Sequence, residues 1–377
     1  MKFNLLTRDE ALAITQKSEA FFVQKTEVQG YKVEMYNYRL AGYEDFVEHN
    51  AWEMRGLTFV FNPETNKWER NLALQKFFNV NQTPDWLYSD VKDKEIVSVQ
   101  EKADGSMITF VRLPNGKVRA KTKMSFESEQ AKMAQKVYDE NENYQRFIKT
   151  SLDAGHTPIF EIVSPFNQIV VLYDVTKLEL LQIRLRDGSY IMSDFVKVAA
   201  DEFDIPSVKN FKELRDLDTL LELKASNKED IEGWVITFKD GQMAKVKTDA
   251  YLAKHGTVSE IRENSIIKAT LDEEVDDILS VLTPNTPKYD QVLEISSKTA
   301  HYFNAKVDEV VKFVEENWKG DFKDFADKHK TEKDFWFYTK AIKSVKGVEK
   351  GAEDIVKYQI KKDTFHLMSA RKWLGGK

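Results

Sequence analysis

The chain has 377 residues and a formal net charge of −6 at pH 7, an acidity that opposes indiscriminate coating of nucleic acid but allows a local basic cleft for phosphates. It contains no cysteine, which excludes disulfides and thiolate metal sites and favours a cytoplasmic location. With 42% hydrophobic residues but no apolar run near the roughly 20 residues of a membrane span, and with six dispersed histidines that form no His-Glu-x-x-His motif, neither a membrane protein nor a zincin is expected.

The first elements are predicted to be one helix and then strands. The sequence Thr-Arg-Asp-Glu fits a capping box and starts a predicted helix over residues 7–24. Residues 31–40 alternate as a half-buried strand does, with Tyr36 and Tyr38 together on one face. Residues 55–61 form the next predicted strand, which ends in a turn.

A hairpin over residues 97–111 is the segment around which the chemistry is organised. Val97 and Val99 alternate with polar residues, an Ala-Asp-Gly-Ser turn follows, and an apolar strand begins at Met107. Lys102 is therefore expected where the first strand meets the turn, with its amine directed to a cleft. A lysine amine is a nucleophile only when it is deprotonated, which requires burial or neighbouring positive charge. A lone hairpin of this kind is most often a surface turn with a solvated lysine.

The pattern of strands and helices continues to about residue 250. Strands are predicted at about residues 117–123, 157–163, 168–175, 178–186, 232–238 and 243–247, and helices at 127–152, 193–203 and 207–225. Residues two apart on a strand share a face. Lys121 and Lys123 therefore form one cationic row, and Lys245 and Lys247 form another.

Beyond residue 250 the alternation typical of strands disappears, and a 3.6-residue period runs to the C-terminus. Helices are predicted at about residues 256–280, 288–318, 321–346 and 350–373. The predicted fold class is therefore α+β, with an antiparallel-sheet domain over residues 1–254 and an all-helical domain over residues 255–377.

Four short patterns in the first domain carry chemistry, and each is weak alone. They are Lys102-x-Asp104-Gly105, Glu161, Glu232-Gly233 and Lys245-x-Lys247. Paired lysines are usually a solvated face, and a glutamate beside a glycine is usually an edge or turn residue. Their order and spacing, however, resemble the motifs of the nucleotidyltransferases that include ATP-dependent ligases and capping enzymes.

Longer motifs make the likeness more specific. They are Glu53-Met54-Arg55-Gly56, Lys76-Phe77-Phe78-Asn79, Lys102-Ala103-Asp104-Gly105-Ser106, Ser128-Glu129-Gln130-Ala131 and Glu161-Ile162-Val163-Ser164-Pro165. Together they resemble the bacteriophage RNA ligase 1 family, the tRNA-repair ligases. The resemblance covers about residues 31–250 and continues more thinly into the helical tail.

This resemblance implies an ATP-dependent RNA ligase with an adenylation domain. Lys102 would attack the α-phosphorus of ATP and carry AMP, which would pass to an RNA 5′-phosphate before a 3′-hydroxyl displaces it. The expected partner is tRNA or single-stranded RNA, bound in part by the helical domain. A monomer without membrane association is expected, in the host cytoplasm if the gene is phage-encoded.

The resemblance also assigns the cations around the phosphates. Lys245 and Lys247 would neutralise the α-phosphate and, with a metal ion, depress the pKa of the nucleophilic lysine. Arg55 and Lys76 would hold the β- and γ-phosphates. Tyr36 matches a family tyrosine near the same phosphates, although a packed strand aromatic explains it equally well.

Carboxylates and apolar residues complete the implied site. Glu161 would accept a ribose hydrogen bond or organise the metal shell, while Glu232 and Asp276 would hold Mg²⁺, with Mn²⁺ as the alternative ion. Asp276 belongs to an Asp276-Asp277 pair that resembles the family's metal-binding aspartates, and a charged helix surface explains both residues nearly as well. Leu181 and Val235 would sandwich adenine, and ordinary strand core is their alternative reading.

Two further nucleotide contacts follow from the resemblance. Gly105 would let the backbone approach the nucleotide. The family's glycine after its second conserved lysine is Met124 here, so either Lys123 or Lys121 would contact the nucleotide. In the tail, the lysine run over residues 340–362 would contact RNA phosphates or form a solvated helix face.

Two other classes of protein share part of this pattern. A DNA ligase or an mRNA-capping guanylyltransferase uses the same lysine chemistry, but carries a β-barrel where helices are predicted here. A non-catalytic RNA-binding relative is expected to lose the nucleophile or the phosphate clamp. This chain keeps all five of the residues concerned, which are Lys102, Glu161, Glu232, Lys245 and Lys247. We therefore expect an ATP-dependent RNA ligase.

Overall fold

The computed structural model describes residues 5–166, 171, 173–226, 231–254, 262–280, 282, 284, 286–332, 335–343 and 348–363. The strands all lie in the first part of these ranges, among short helices. In chain order the elements there are α1 (Arg8–Lys17), β1 (Phe21–Val28), β2 (Tyr31–Tyr38), α2 (Tyr43–Glu48), β3 (Leu57–Asn62), β4 (Lys67–Asn71), β5 (Phe78–Asn79), α3 (Tyr88–Val91), β6 (Ile96–Lys102), β7 (Ser106–Arg112), β8 (Val118–Lys121), α4 (Glu129–Glu140), α5 (Glu142–Asp153), β9 (Thr157–Val163), β10 (Lys177–Arg184), α6 (Ser193–Glu202), α7 (Leu217–Ser226), β11 (Gly233–Phe238) and β12 (Met243–Lys247).

The strands form three four-stranded sheets, with the orders β1-β2-β3-β4, β10-β9-β7-β8 and β5-β12-β11-β6. All neighbouring strands are antiparallel except the short pair of β12 and β5. The first and third sheets share one apolar core. Helices α4, α5 and α6 cover the remaining sheet and bury Phe110 and Phe160. The α+β class with antiparallel sheets is therefore confirmed.

Helices alone follow the last strand in the described ranges. They are α8 (Asp249–Lys254), α9 (Glu263–Leu271), α10 (Val275–Ser280), α11 (Pro287–Asn317), α12 (Phe322–His329), α13 (Phe335–Lys343) and α14 (Val348–Asp363). From α9 onward they bury a core of their own, which includes Val292, Phe303 and Val356. The predicted boundary near 254/255 stays a prediction, since residues 255–261 lie outside the described ranges. Across those same ranges no helix is both long and apolar enough to cross a membrane.

The helical part is tied to the sheets through α11. Asp308 forms an ion pair with Arg39 at 2.5 Å, and Asn304 donates to the backbone carbonyl of Arg39 at 2.9 Å. The hydroxyl of Tyr289 donates to the carbonyl of Gln82. These contacts bring α11 close to the segments that follow β2 and β5.

The first predicted helix was too long. It ends at Lys17, because Ser18 adopts an extended conformation with φ −141°, and residues 21–28 form β1 instead. Their aromatic and β-branched side chains suit a strand. Phe21 pairs with Tyr38 and Val28 with Tyr31, so this segment forms a hairpin with β2.

Other predicted elements were divided or shortened. The helix expected over residues 127–152 is two helices, since the side chain of Asn141 accepts hydrogen bonds from the backbone N–H groups of the second. The helix expected over 207–225 starts only at Leu217, because residues before it form bridges to β6 and β10. In the strand expected over 168–175, four residues lie outside the described ranges and the other four are not in a strand.

A buried ion pair joins the second sheet to the segments that precede β3 and β5. Arg184, at the end of β10, is fully buried and binds both carboxylate oxygens of Glu53, with Nη1 2.7 Å from Oε2. It also donates to the backbone carbonyls of Ala73 at 2.5 Å and Gly188 at 3.0 Å. If one member of a buried pair is removed, the other charge is left without a partner in a medium of low polarity.

Arg184→Met is expected to lower the free energy of unfolding by about 3–5 kcal/mol, because Glu53 keeps a buried charge without its partner. Lys197→Met, which breaks a half-exposed pair with Asp201, should cost at most about 1 kcal/mol. Urea denaturation followed by circular dichroism measures both. Equal losses in the two variants would contradict this account of the buried pair.

Candidate active site

The strand register of the third sheet aligns two of the predicted lysines. Strand β11 lies between β6 and β12, and Gly233 is opposite both Lys102 and Lys247. Gly233 has φ +153°, and an added Cβ would lie 2.0 Å from the carbonyl oxygen of Val246. Only glycine fits there, and it allows the three strands to approach closely at this row.

Glu232 lies between the two lysines. Its side chain is buried, with Oε2 2.5 Å from Lys102 Nζ and Oε1 3.3 Å from Lys247 Nζ. Burial favours the neutral acid, but the charges of Lys102 and Lys247 outweigh it and hold the pKa of Glu232 below its ordinary value. The carboxylate is therefore ionised and joins both amines.

The helical part supplies carboxylates to the same sheet. Lys245 Nζ lies 3.0 Å from Asp276 Oδ2, and Lys247 Nζ lies 2.6 Å from Asp277 Oδ1. Burial opposes ionisation of Asp276, but the two lysines lower its pKa. Burial and the neighbouring Asp276 raise the pKa of Asp277 to about 6. Helix α10 thus neutralises the lysines of β12.

The hairpin predicted over residues 97–111 is not formed, because β6 pairs with β11 in the third sheet whereas β7 pairs with β8 and β9 in the second. The turn after Lys102 therefore joins two sheets, and Glu161 lies on β9 of the second sheet. Burial raises its pKa to about 8; the charge of Lys102 opposes this rise and that of Glu232 adds to it. Gly105 is close to the same strand, since an added Cβ would lie 2.3 Å from the carbonyl oxygen of Ile162 and 3.1 Å from Glu161 Cγ. Its lack of a side chain therefore lets the turn between β6 and β7 pack on β9.

A cavity of about 1110 Å³ opens above these strand ends. This volume is ample for a nucleotide, since small-molecule sites span about 300–1,000 Å³. The predicted site residues among its lining are Arg55, Lys76, Lys102, Gly105, Glu161, Leu181, Val235, Lys245 and Asp276. Glu232 contacts this set through its ion pair with Lys102, and Lys247 pairs in turn with Glu232. Most of the predicted site is therefore brought together.

Tyr36 lies outside the cavity lining. Its side chain is fully buried, and its hydroxyl donates to Glu34 Oε2 at 2.7 Å. Tyr38, two residues further on the same strand, lines the cavity instead. The alternation of residues 31–40 puts both tyrosines on one face and does not indicate that Tyr38 is the one at the cavity.

Tyr38 is surrounded by cations. Lys76 Nζ lies 5.0 Å and Lys123 Nζ 4.7 Å from its ring centroid, distances suited to cation–π attraction. Burial alone favours the neutral phenol, but Lys76, Lys123 and Arg55 outweigh it and lower the pKa of Tyr38 to about 8. This corner of the cavity has the concentrated positive charge that phosphates require.

The two candidate lysines of the β8 region have different surroundings. Lys123 Nζ pairs with Glu273 at 3.2 Å and lies beside Tyr38, and both of those residues line the cavity. Lys121 is fully buried and donates to the backbone carbonyls of Gly56 at 3.1 Å and Thr122 at 3.0 Å. Of the two, Lys123 is the one beside the cavity. Glu273 was not identified from the sequence, because it is brought to Lys123 only by the tertiary fold.

The donors present fit a water-rich divalent cation. No group of three His, Asp or Glu side chains forms a ligand set among the residues that the structure describes. Mg²⁺ typically takes one or two carboxylates and completes its shell with waters and phosphate oxygens. Glu232 provides a buried carboxylate beside Lys102, and Glu161 provides a partly buried one in the same cavity lining, so they fit that pattern.

The raised pKa of Glu161 predicts a pH-dependent stability. The folded protein binds more protons than the unfolded chain between about pH 4.5 and pH 8, so stability contributed by this group falls as pH rises through that window. Relative to Glu161→Gln, the wild-type protein should lose more than about 1 kcal/mol of unfolding free energy between pH 5 and pH 8. Urea titrations of both proteins at the two pH values test this, and a constant difference would contradict the assignment.

Comparisons with known proteins identify the family of the chain. A family model described as RNA ligase, of the bacteriophage RNA ligase 1 type, matches residues 53–251. A "Putative RNA ligase" of Thermovibrio ammonificans is 26% identical over 259 residues, which are 66% of this chain and 65% of that protein. The match thus spans slightly less than two thirds of that relative's length.

Two solved structures of RNA ligases are also similar at low identity. An archaeal ATP-dependent RNA ligase is 11% identical, with 79% of this chain and 78% of that chain covered and a TM-score of 0.46. A mutant Naegleria gruberi RNA ligase with ATP and Mn is 15% identical, with 67% and 84% covered and a TM-score of 0.38. The family match covers more than half of the chain, including the segment that carries Lys102, Glu232 and Lys247. This protein belongs to the bacteriophage RNA ligase 1 family.

Proposed function

We propose that this protein is an ATP-dependent RNA ligase that works through a covalent lysyl-AMP intermediate on Lys102. The observation that carries the proposal is the row of Lys102, Glu232 and Lys247 beside a cavity of nucleotide size. Family membership supports the reaction class. The charge pattern supports phosphate chemistry, because cations from several strands converge on one cavity.

In the first step, the deprotonated amine of Lys102 attacks the α-phosphorus of ATP. A nitrogen–phosphorus bond forms, the bond to the bridging oxygen breaks, and pyrophosphate leaves. An oxygen of an RNA 5′-phosphate then attacks the same phosphorus and releases the lysine. Finally an RNA 3′-hydroxyl attacks the 5′-phosphate and AMP leaves. Each step is a displacement at phosphorus, for which positioning and electrostatic stabilisation do most of the catalysis.

Other side chains have matching roles in the proposal. Lys245 and Lys247 stabilise charge on the α-phosphate, and they exchange the carboxylates of α10 for phosphate oxygens when ATP binds. Arg55 and Lys76 bind the departing pyrophosphate. Lys76 Nζ already lies 4.8 Å from the ring centroid of Phe78, a contact that favours an orientation along the cavity wall.

The nucleoside end of ATP binds between apolar residues. Leu181 and Val235 line the cavity and sandwich the adenine ring, while Glu161 receives the ribose. Gly105 lets the turn between β6 and β7 approach the sugar. Glu232 and Asp276, together with Glu161, would hold Mg²⁺, with Mn²⁺ as the alternative, and the ion would supply neutralisation of the phosphate charge.

The RNA partner we propose is a cleaved tRNA with 5′-phosphate and 3′-hydroxyl ends, selected by the helical part of the chain and sealed in the cytoplasm by a monomer. The resemblance to tRNA-repair ligases supports this choice. Not every lysine of the 340–362 run is directed to solvent: Lys361 pairs with Asp272 at 2.5 Å, and Lys357 lies 6.0 Å from the ring centroid of Phe303. The phosphate contacts are therefore expected from other lysines of the helical part.

Lys102→Ala should abolish sealing of 5′-phosphate RNA with ATP, by more than about a thousandfold, because the nucleophile is gone. Sealing of chemically pre-adenylated RNA should persist within about tenfold, because the final displacement does not pass through the lysine. Gel-based ligation assays with the two RNAs measure both rates, and the exposed Lys92→Ala is the control. Loss of both activities in a folded variant would argue against the nucleophile assignment.

The tRNA proposal predicts a substrate preference. A tRNA cleaved in its anticodon loop should be sealed with a kcat/KM at least about tenfold above that of a linear single strand with identical termini. The comparison uses the full chain under single-turnover and steady-state conditions. Equal values for the two RNAs would contradict selection of tRNA and leave the ligase proposal intact.

A further inference from the structure

We propose that Lys121 is a positioning residue that fixes Arg55 relative to Lys123 and thereby sets how Arg55 binds the β- and γ-phosphates. The inference rests on the proposed ligase function and deepens it. Lys121 itself does not touch the cavity. It acts through the backbone on either side of the two cations.

The amine of Lys121 joins two separate segments of chain. It donates to the carbonyl oxygen of Gly56 at 3.1 Å, one residue after Arg55, and to that of Thr122 at 3.0 Å, one residue before Lys123. The first segment precedes β3 in the first sheet, and the second follows β8 in another sheet. One side chain therefore sets the distance between the two backbone segments that carry these cations.

The joint around Lys121 is closely packed. Gly56 has φ +89°, and an added Cβ would lie 3.1 Å from the carbonyl oxygen of Lys123. Asn37 Nδ2 donates to that same carbonyl at 2.6 Å. Segment 121–123 is thus held from two sides, by Lys121 from within and by Asn37 from β2.

Two like charges need such a support. The charges of Arg55 and Lys123 both lower the pKa of Tyr38, and the charge of Arg55 also disfavours the protonated form of Lys123. Glu273 compensates Lys123 in the present arrangement. When phosphates enter, the two cations must stay close despite their repulsion, and a fixed backbone removes the cost of bringing them together at that moment.

The choice of lysine at position 121 fits a donor role rather than a charge role. The side chain is fully buried, and its Nζ forms no ion pair with a carboxylate in the part of the chain that the structure describes. Burial lowers its pKa to about 7, so a neutral amine is readily reached at physiological pH. A neutral amine has two N–H donors, which match the two carbonyls. Methionine has a similar volume and no donor.

The steps of the proposed reaction separate this role from a general structural one. Adenylation of the enzyme by ATP needs the β- and γ-phosphates held. Sealing of pre-adenylated RNA involves no β- or γ-phosphate of ATP. Lys121→Met should therefore slow formation of the enzyme–AMP adduct by about tenfold to a hundredfold, chiefly through a higher KM for ATP. Sealing of pre-adenylated RNA should change by less than about twofold.

The experiment measures both rates for the full-length wild-type protein, Lys121→Met and the control Lys117→Met, together with a thermal melt. Lys117 is exposed in the turn before the same strand, and its variant should match the wild type in both assays. Asn37→Leu removes the other tie to segment 121–123 and should give the same split, which keeps the test available if Lys121→Met does not fold.

A parallel loss of adenylation and sealing in folded Lys121→Met, or no loss in either, would overturn the positioning role. A wild-type protein that forms no adduct with ATP would overturn the proposed function itself. The two failures are therefore distinguishable.

Discussion

The site depends on one buried carboxylate, that of Glu232, held between the amines of Lys102 and Lys247. Glu232 is buried while Lys102 and Lys247 are partly buried, and Lys247 also pairs with Asp277. Removal of Glu232 would take away a carboxylate that compensates both amines. The strand register sets this arrangement, since Gly233 lets β6 and β12 approach β11 at the same row. The proposed nucleophile, Lys102, thereby lies at the end of an edge strand and not on a loop.

The helical part completes the charge balance of the sheet. Asp276, Asp277 and Glu273 come from α10 and the turn before it, and they pair with Lys245 and Lys247 of β12 and with Lys123 after β8. In the proposed function Lys245 and Lys247 stabilise the α-phosphate. ATP binding would then exchange the carboxylates of α10 for phosphate oxygens, which would keep these two lysines compensated before and after the nucleotide enters.

Sequence patterns predicted the parts of the site that depend on local periodicity. Alternation along strands placed Lys245 with Lys247 and put Lys102 beside a turn, and the motif spacing identified the family. Alternation could not choose between Tyr36 and Tyr38, which share a face, because their tertiary surroundings separate them: the Tyr36 hydroxyl donates to Glu34, whereas Lys76 and Lys123 lie beside the Tyr38 ring. The contact of Lys123 with Glu273 spans 150 residues, and no local pattern encodes it. The hairpin of β1 and β2 was not predicted. The capping box at residues 7–10 indicates a helix, and the residues of β1, which also suit a strand, were predicted to continue that helix.

The central claim is that Lys102 carries AMP, and the most direct measurement is the site of the adduct. Protein first freed of any bound AMP is incubated with ATP and Mg²⁺, denatured, digested and analysed by mass spectrometry for a peptide that has gained one AMP through an acid-labile bond. The account predicts a single modified peptide, with the gain on Lys102 and none with GTP. AMP on any other residue, or no adduct from folded protein, would contradict it.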